Sequence, residues 1–459
     1  MAGDVDVLVR QVMEKLQNGG KAGSAGIFKN MNDAVEACAR AQKEYVKLSL
    51  TARSRVIDAI RKVIYDNAEE LSRLTVEETK MGNYEDKIAK NRLVADKTPG
   101  VEDLKSEAMT GDSGLTLIEL SPFGVIGAIT PTTNPTETLF CNSIGMLAAG
   151  NGVVFSPHPT AKMVSLKTIT LINRAITASG APANLVTAVE NPTLEQTNAM
   201  VSHPKVNLLV ATGGPGVVRA VLSSGKKAIG AGAGNPPAVI DESANIEKAA
   251  VDIIRGCSFD YNLPCVAEKE VIVEEKVADY LLFCMKGSGL AHIIEDRSAL
   301  RRLEELLLAA DTPNKNFIGR SPQVIGESVG LRVDEKIKVL CMEVPFEHPF
   351  VQHELMMPVL PIVRVKDFDE AMKKAIEVEH GYRHTAIMHS RNVEHLSAMA
   401  KAIQTTIFVK NAPSYAGIGV GGEGHTTFTI AGPTGEGLTS AKTFTRKRRC
   451  VLADSFNIR

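Results

Sequence analysis

Neither sign of charge prevails in this chain: 52 lysines and arginines stand against 53 aspartates and glutamates. With no field of one sign to attract a polyanion, nucleic acid and anionic membrane surfaces are excluded as expected partners. Long apolar runs are missing as well, so no membrane-spanning segment is expected. The chain opens with Asp4 and Asp6 in place of the basic start of a secretory signal, which points to an intracellular protein. Cysteine is sparse and scattered. The seven residues, at 38, 141, 257, 265, 284, 341 and 450, form no C-x-x-C pair, which argues against both a disulfide framework and a structural zinc site. They read as reduced thiols, most of them simply buried.

What the sequence does contain is length and alternation. A chain of 459 residues exceeds one simple core and implies two large domains with a small appendage. Val5, Leu8, Val9, Val12 and Leu16 form one stripe of a helix over residues 1–17, followed by a glycine-rich linker over 18–29. So short a helix is not firmly stable alone in water, and its stripe must dock on its own body or in a partner's groove. Residues 30 to about 98 are helical and well charged, and LTLIELSPFGVIGAIT then supplies strands. From residue 150 short apolar strands alternate with helices, first through KKAIGAGAG and then from PPAVID to TTIFVKNA. This β-α repetition predicts an α/β protein of two doubly wound parallel-sheet domains, over 30–237 and 238–422. The first is a candidate nucleotide-binding fold. The tail, 423–459, has a β-like stretch and no core of its own, so it is expected to return to the first domain or to pair with another subunit.

Chemistry is less legible. Cys265, in FDYNLPCVAEKEVIV, opens a strand segment near the interdomain junction, where ligands commonly bind. A thiol polarised by backbone N–H groups can act as a nucleophile, while the residue alone reads more readily as a small buried hydrophobe, as most free cysteines do. TGGPG at 212–216 lies between an apolar strand and a helix, but neither it nor GAGAGN at 230–235 matches G-x-G-x-x-G; both are weak as phosphate loops and read first as tight turns.

Five stretches taken in order do carry a resemblance: ITPTTNP at 129–135, GNGVVFSPHP at 150–159, ATGGPGVV at 211–218, NLPCVAEKEVIV at 262–273 and HELMMPVLPIVRV at 353–365. Their order and spacing resemble the aldehyde dehydrogenase superfamily, and within it the CoA-acylating branch that converts acetaldehyde or propionaldehyde to the acyl-CoA, often inside bacterial microcompartments. The resemblance implies a Rossmann-like cofactor domain, a catalytic domain and a small β extension for oligomerisation. It makes Cys265 the nucleophile that forms a thioester after hydride transfer to NAD. Asn134 becomes an amide donor to the oxyanion; without the family, an Asx turn before Pro135 is the better reading of that residue. Glu354 matches the glutamate on the nicotinamide ribose, a carboxylate suited to a diol. Thr130 and Pro131 match the wall beside the nicotinamide. Thr212, Gly213, Gly214, Val217 and Gly232 match the loop and helix start near the pyrophosphate.

Two departures from the family pattern matter. Ser156, followed by Pro157 and His158, replaces the lysine usual at the adenosine ribose, so that side is read differently. The glutamate that activates water in the hydrolytic branch corresponds to about Ala231. With no carboxylate there, a thioester survives until a thiol such as CoA attacks it. Three readings follow: an acylating dehydrogenase using NAD and CoA, a hydrolytic NAD-dependent dehydrogenase giving the free acid, or a scaffolding homologue. The presence of Cys265, Asn134 and Glu354 argues against the last. The resemblance further implies a homodimer or homotetramer formed through a hairpin near 105–122 and the C-terminal strand. It also implies that residues 1–17 act as an encapsulation helix for a microcompartment shell. Aromatic content of 5% with no Trp suits a modest apolar pocket for a short aliphatic aldehyde.

Overall fold

The computed structural model describes residues 26–310 and 312–458. The expected helix over 1–17 and the linker up to residue 25 lie outside the described residues. Ile27–Phe28, placed in the linker by its glycine-rich neighbourhood, instead forms a short edge strand, because two apolar residues can pair in parallel with Ala188 and Val189.

Three helices follow, Met31–Tyr45, Leu50–Thr79 and Tyr84–Lys97. Each starts where a short polar side chain caps a free N–H: Asn30 accepts from Asp33, Ser49 from Ala52 and Asn83 from Asp86. The first packs on a six-stranded parallel sheet, and the other two lie on its covering helices Pro135–Ala148 and Lys162–Ala178; the sheet's spatial order is Ile27–Phe28, Val186–Val189, Gly152–Pro157, Val125–Thr130, Val206–Thr212, Ala228–Ala231. The central strands read as continuous apolar runs because helices bury both faces. Helix Pro135–Ala148 is buried along its whole length, with Phe140, Ile144 and Leu147 against the sheet.

A second parallel sheet of seven strands runs Ala291–Ile293, Val339–Glu343, Val359–Val365, Glu270–Glu274, Pro237–Ile240, Thr385–His389, Ile407–Lys410. Two parallel sheets with helical cover make this the α/β architecture expected. From Ser414 the chain turns back. Phe428 donates its N–H to Cys141 Sγ, Thr429 bonds Thr212 and Asn142, and Thr445–Ala453 pairs antiparallel with Gly114–Pro122. With Glu107–Gly111 this makes a third, three-stranded sheet, whose C-terminal strand is exposed along nearly its whole length.

The chain passes from the first large sheet to the second between Ala231 and Pro237. Thr130, Pro157, Thr212 and Ala231 are the carboxyl ends of strands in the first. The segments holding Gly234, Cys265, Glu354 and His384 lie just before the amino ends of strands in the second. The crevice beyond a parallel sheet's carboxyl edge is where such folds place ligands.

Candidate active site

Helix Ile246–Ser258 delivers the chain to a turn in which Asp260, Tyr261 and Asn262 all have positive φ, at 49°, 52° and 67°. Left-handed geometry at three successive non-glycine residues persists only where the surroundings over-determine it. Here Asn262 Nδ2 donates to the carbonyls of Cys257 and Glu268, both at 2.9 Å. The buried Lys269 ammonium donates to Asn262 O at 2.9 Å, Asn262 Oδ1 at 2.7 Å and Pro264 O at 3.4 Å. Glu268 accepts from the Ser414 N–H at 2.9 Å and its hydroxyl at 2.6 Å. Gly256 makes room for that carboxylate: a Cβ there would lie 2.1 Å from Glu268 Oε2. Cys265 therefore sits in a pinned turn five residues before the strand Glu270–Glu274, not at the start of a strand as the apolar run suggests.

The Cys265 thiol is half-buried. Burial first, and the Glu354 carboxylate second, push its pKa up to about 12, against the opposing pull of the Lys269 ammonium, its own backbone N–H and Lys90. Burial likewise lifts Glu354 to about 7, opposed by Lys269 and the Gly234 N–H. Burial lifts Glu268 to about 7 as well, opposed by Ser414. Against the same turn stands His384, buried, its pKa lowered to about 4 by burial and Lys269. Its Nδ1 pairs with Thr385 Oγ1 at 2.8 Å while its Nε2 has no partner.

Asn134 is the N-cap residue of helix Pro135–Ala148, yet its side chain makes no capping bond, which removes the Asx-turn reading. Its Oδ1 accepts from Lys90 Nζ at 2.5 Å instead. Lys90 also meets Asp260 Oδ2 at 2.5 Å and Glu137 Oε1 at 2.9 Å, and Lys87 meets Asp260 Oδ2 at 3.1 Å, all four charged groups being fully buried. Burial works against the Lys90 charge, but Asp260 and Glu137 outweigh it and hold its pKa at about 12.

The residues matched to a dinucleotide line the carboxyl edge of the first sheet. Thr130 ends its strand with a buried hydroxyl that has no partner, and Pro131 follows it. Thr212 bonds Thr429 at 2.9 Å. Gly213 and Gly214 open the helix Pro215–Leu222 with empty space where a Cβ would stand, and Val217 on its first turn is exposed. Gly232 is nearly as open, with one Val218 methyl at 4.0 Å. Ser156 pairs with Thr197 at 2.7 Å, and His158 Nδ1 with Thr160 Oγ1 at 2.8 Å. The orphaned Thr130 hydroxyl, the open glycine turn and the Glu354 carboxylate fit a bound nicotinamide dinucleotide. Ala231 is buried and leaves no carboxylate at that point of the crevice. Among the described residues no group of three or more His, Cys, Asp or Glu side chains is placed to hold a metal.

Sequence reasoning missed Lys90, Lys87, Glu137, Asp260, Glu268, Lys269 and His384. Only Glu137, an acid inside the otherwise apolar PTETLFCNSIGML, gave a local signal.

The architecture is an α/β one of two parallel sheets with a cysteine, Cys265, on a pinned turn. The sequence matches the aldehyde dehydrogenase family over residues 22–286 and 338–443, and the chain belongs to that family. It is 49% identical to propanal dehydrogenase (CoA-propanoylating) of Citrobacter freundii, over 99% of both chains. A solved propionaldehyde dehydrogenase of Rhodopseudomonas palustris, with bound CoA and an acylated cysteine, is 62% identical, with a TM-score of 0.94 over 95% of this chain and 100% of that one. A propionaldehyde dehydrogenase from the fucose utilisation microcompartment of Clostridium phytofermentans is 52% identical, with a TM-score of 0.93 over 95% and 100%.

Proposed function

We propose that the protein oxidises a short aliphatic aldehyde, propionaldehyde or acetaldehyde, with NAD and passes the acyl group to CoA. What supports this is the Glu354 carboxylate beside Cys265, Asn134 tied through Lys90 to the Asp260 turn that leads to Cys265, and Ala231, not a carboxylate, where water would be activated. The acylating relatives support it.

Thr130, Pro131, Gly213, Gly214 and Glu354 hold the dinucleotide, which accepts hydride when bound. Cys265 releases its proton to solvent and its thiolate attacks the aldehyde carbon, and the resulting oxyanion is met by Asn134 Nδ2 and the Cys265 N–H. Loss of hydride leaves a thioester on Cys265. A CoA thiolate attacks that carbonyl and Cys265 leaves as thiolate, with no water-activating base needed. Glu268 is the nearest acid in sequence, but Ser414 occupies both its oxygens, so it does not supply one. Purified protein with propionaldehyde and NAD, with and without CoA, followed by NADH absorbance, tests this; sustained turnover without CoA favours the hydrolytic alternative.

We further propose that the exposed sheet of Glu107–Gly111, Gly114–Pro122 and Thr445–Ala453 joins copies into a dimer or tetramer, and that residues 1–17 dock on a microcompartment shell. Its open edge and the exposed Met109, Val451 and Leu452 support the first; sedimentation of wild type against Leu452→Glu tests it. The apolar stripe Val5, Leu8, Val9, Val12 and Leu16 supports the second. Residues 1–20 fused to a fluorescent protein should co-localise with shell particles and lose them on Leu8→Glu.

A further inference from the structure

An amide side chain is a donor at one end and an acceptor at the other, and only the donor end can serve an oxyanion. Nothing in Asn134 itself decides which end faces Cys265. The decision is made by a neighbour that carries donors alone. Lys90 Nζ stands 2.5 Å from Asn134 Oδ1, and an ammonium has no acceptor to offer Nδ2, so Oδ1 must face the lysine and Nδ2 must face away. Beyond Lys90, Nδ2 has only a long 3.4 Å contact to Thr133 Oγ1. Lys90 donates to Asn134 and to Asp260 and faces the Glu137 carboxylate across a 2.9 Å ion pair, which holds the ammonium in place.

The same nitrogen also reaches the nucleophile's turn. Asp260 is the first of the three left-handed residues leading to Cys265. Its Oδ2 takes Lys90 and Lys87, its Oδ1 takes the Asn83 N–H at 2.7 Å, and its own N–H goes to Asp86 at 2.9 Å. Buried ion groups of this kind add little to stability compared with apolar packing, so their presence calls for another role.

We infer that Lys90 is a positioning residue: it fixes the amide of Asn134 with the donor end toward Cys265 and, through Asp260, locks the distance between that donor and the turn carrying the nucleophile. This rests on the acyl-transfer reading for its kinetic consequence, but not for its geometry.

A double-mutant cycle tests it. Asn134→Ala should lower kcat about 10²-fold. Lys90→Gln should lower kcat 10- to 100-fold with the KM for NAD unchanged within twofold, and in the Asn134→Ala background it should cost less than about threefold. Full additivity of the two losses overturns the proposal. Because Lys90→Gln strips a cation from two buried acids, Lys90→Gln/Glu137→Gln, which keeps the Lys87–Asp260 pair neutral, is the folding-safe version, and wild-type kcat in it also overturns the proposal. A neutron crystal structure of that variant, which tells Oδ1 from Nδ2, gives a readout independent of turnover: the Asn134 amide should flip, rotate or take two orientations, and an unmoved, fully ordered amide overturns the proposal. Wild-type protein inactive with aldehyde, NAD and CoA removes the functional reading alone, while the crystallographic result still decides the role of Lys90.

Discussion

Gly234 is the point at which one methyl group should separate chemistry from cofactor binding. A Cβ built there would stand 2.9 Å from His384 Cγ and 3.0 Å from the carbonyl oxygen of Cys265. Both are nearly half an ångström inside ordinary contact, and neither can retreat. The His384 ring is tied by Thr385, and the Cys265 carbonyl belongs to a turn that Lys269 and Asn262 pin on both sides. Overpacking of this kind costs about 1–3 kcal/mol. Relief by shifting the thiol a few tenths of an ångström off line falls on the barrier, so Gly234→Ala should lower kcat about 10- to 100-fold. The assay is initial NADH formation at saturating propionaldehyde, NAD and CoA, with melting temperature as the folding control. Gly213→Ala is the comparison: its Cβ enters open space in the glycine turn, so it should raise the KM for NAD and leave kcat within about twofold. A Gly234→Ala enzyme with wild-type kcat, or one altered only in NAD affinity, would refute the placement of Gly234 between His384 and the nucleophile.

Cys265→Ala should abolish NADH formation while leaving the fold intact, whereas Cys257→Ala, a buried thiol outside the proposed reaction, should keep most activity; equal loss in both would remove Cys265 from its role. Without CoA the enzyme should release one equivalent of NADH per active site and then stall, as rapid-mixing absorbance can show. Burial raises Glu268 from 4.5 to about 7, so the folded state favours its protonated form. The stability this confers is fully present below pH 4.5 and is lost as pH climbs through about 7. The melting temperature of wild type minus that of Glu268→Gln should therefore fall between pH 4.5 and 7 and level off above; a flat difference would contradict the shift.

The layout of the sheets was legible because helices cover both faces of each, which turns every inner strand into an apolar run such as VNLLVAT or PVLPIVRV. Cys265, Asn134 and Glu354 could be singled out only through the order of five motifs, since each alone has an ordinary structural reading. Lys87 and Lys90 were invisible for a physical reason. Helix Tyr84–Lys97 is rich in charge, and its lysines look like a solvated face until Asp260, 170 residues further on, is brought against them. Glu268 and Lys269 likewise read as the polar edge of a strand, although both are buried and hold the turn from beneath. The edge strand Ile27–Phe28 was lost because two residues carry no periodicity.

The returning segment from Ser414 onward ties the completion of the first sheet's packing to residues some three hundred positions further along the chain. Phe444 packs under Gly145 and accepts a bond from Asn151, Thr427 and Phe428 cover Cys141, and Thr445–Ala453 supplies the third strand of the outer sheet. A polypeptide emerging from the ribosome thus exposes the face of the buried helix Pro135–Ala148 until roughly three hundred further residues have been made, and the closure joins ends far apart in sequence. Folding of the amino-terminal half therefore waits on residues 427–453, and deletion of 445–453 should act first on yield and aggregation, before any effect on catalysis.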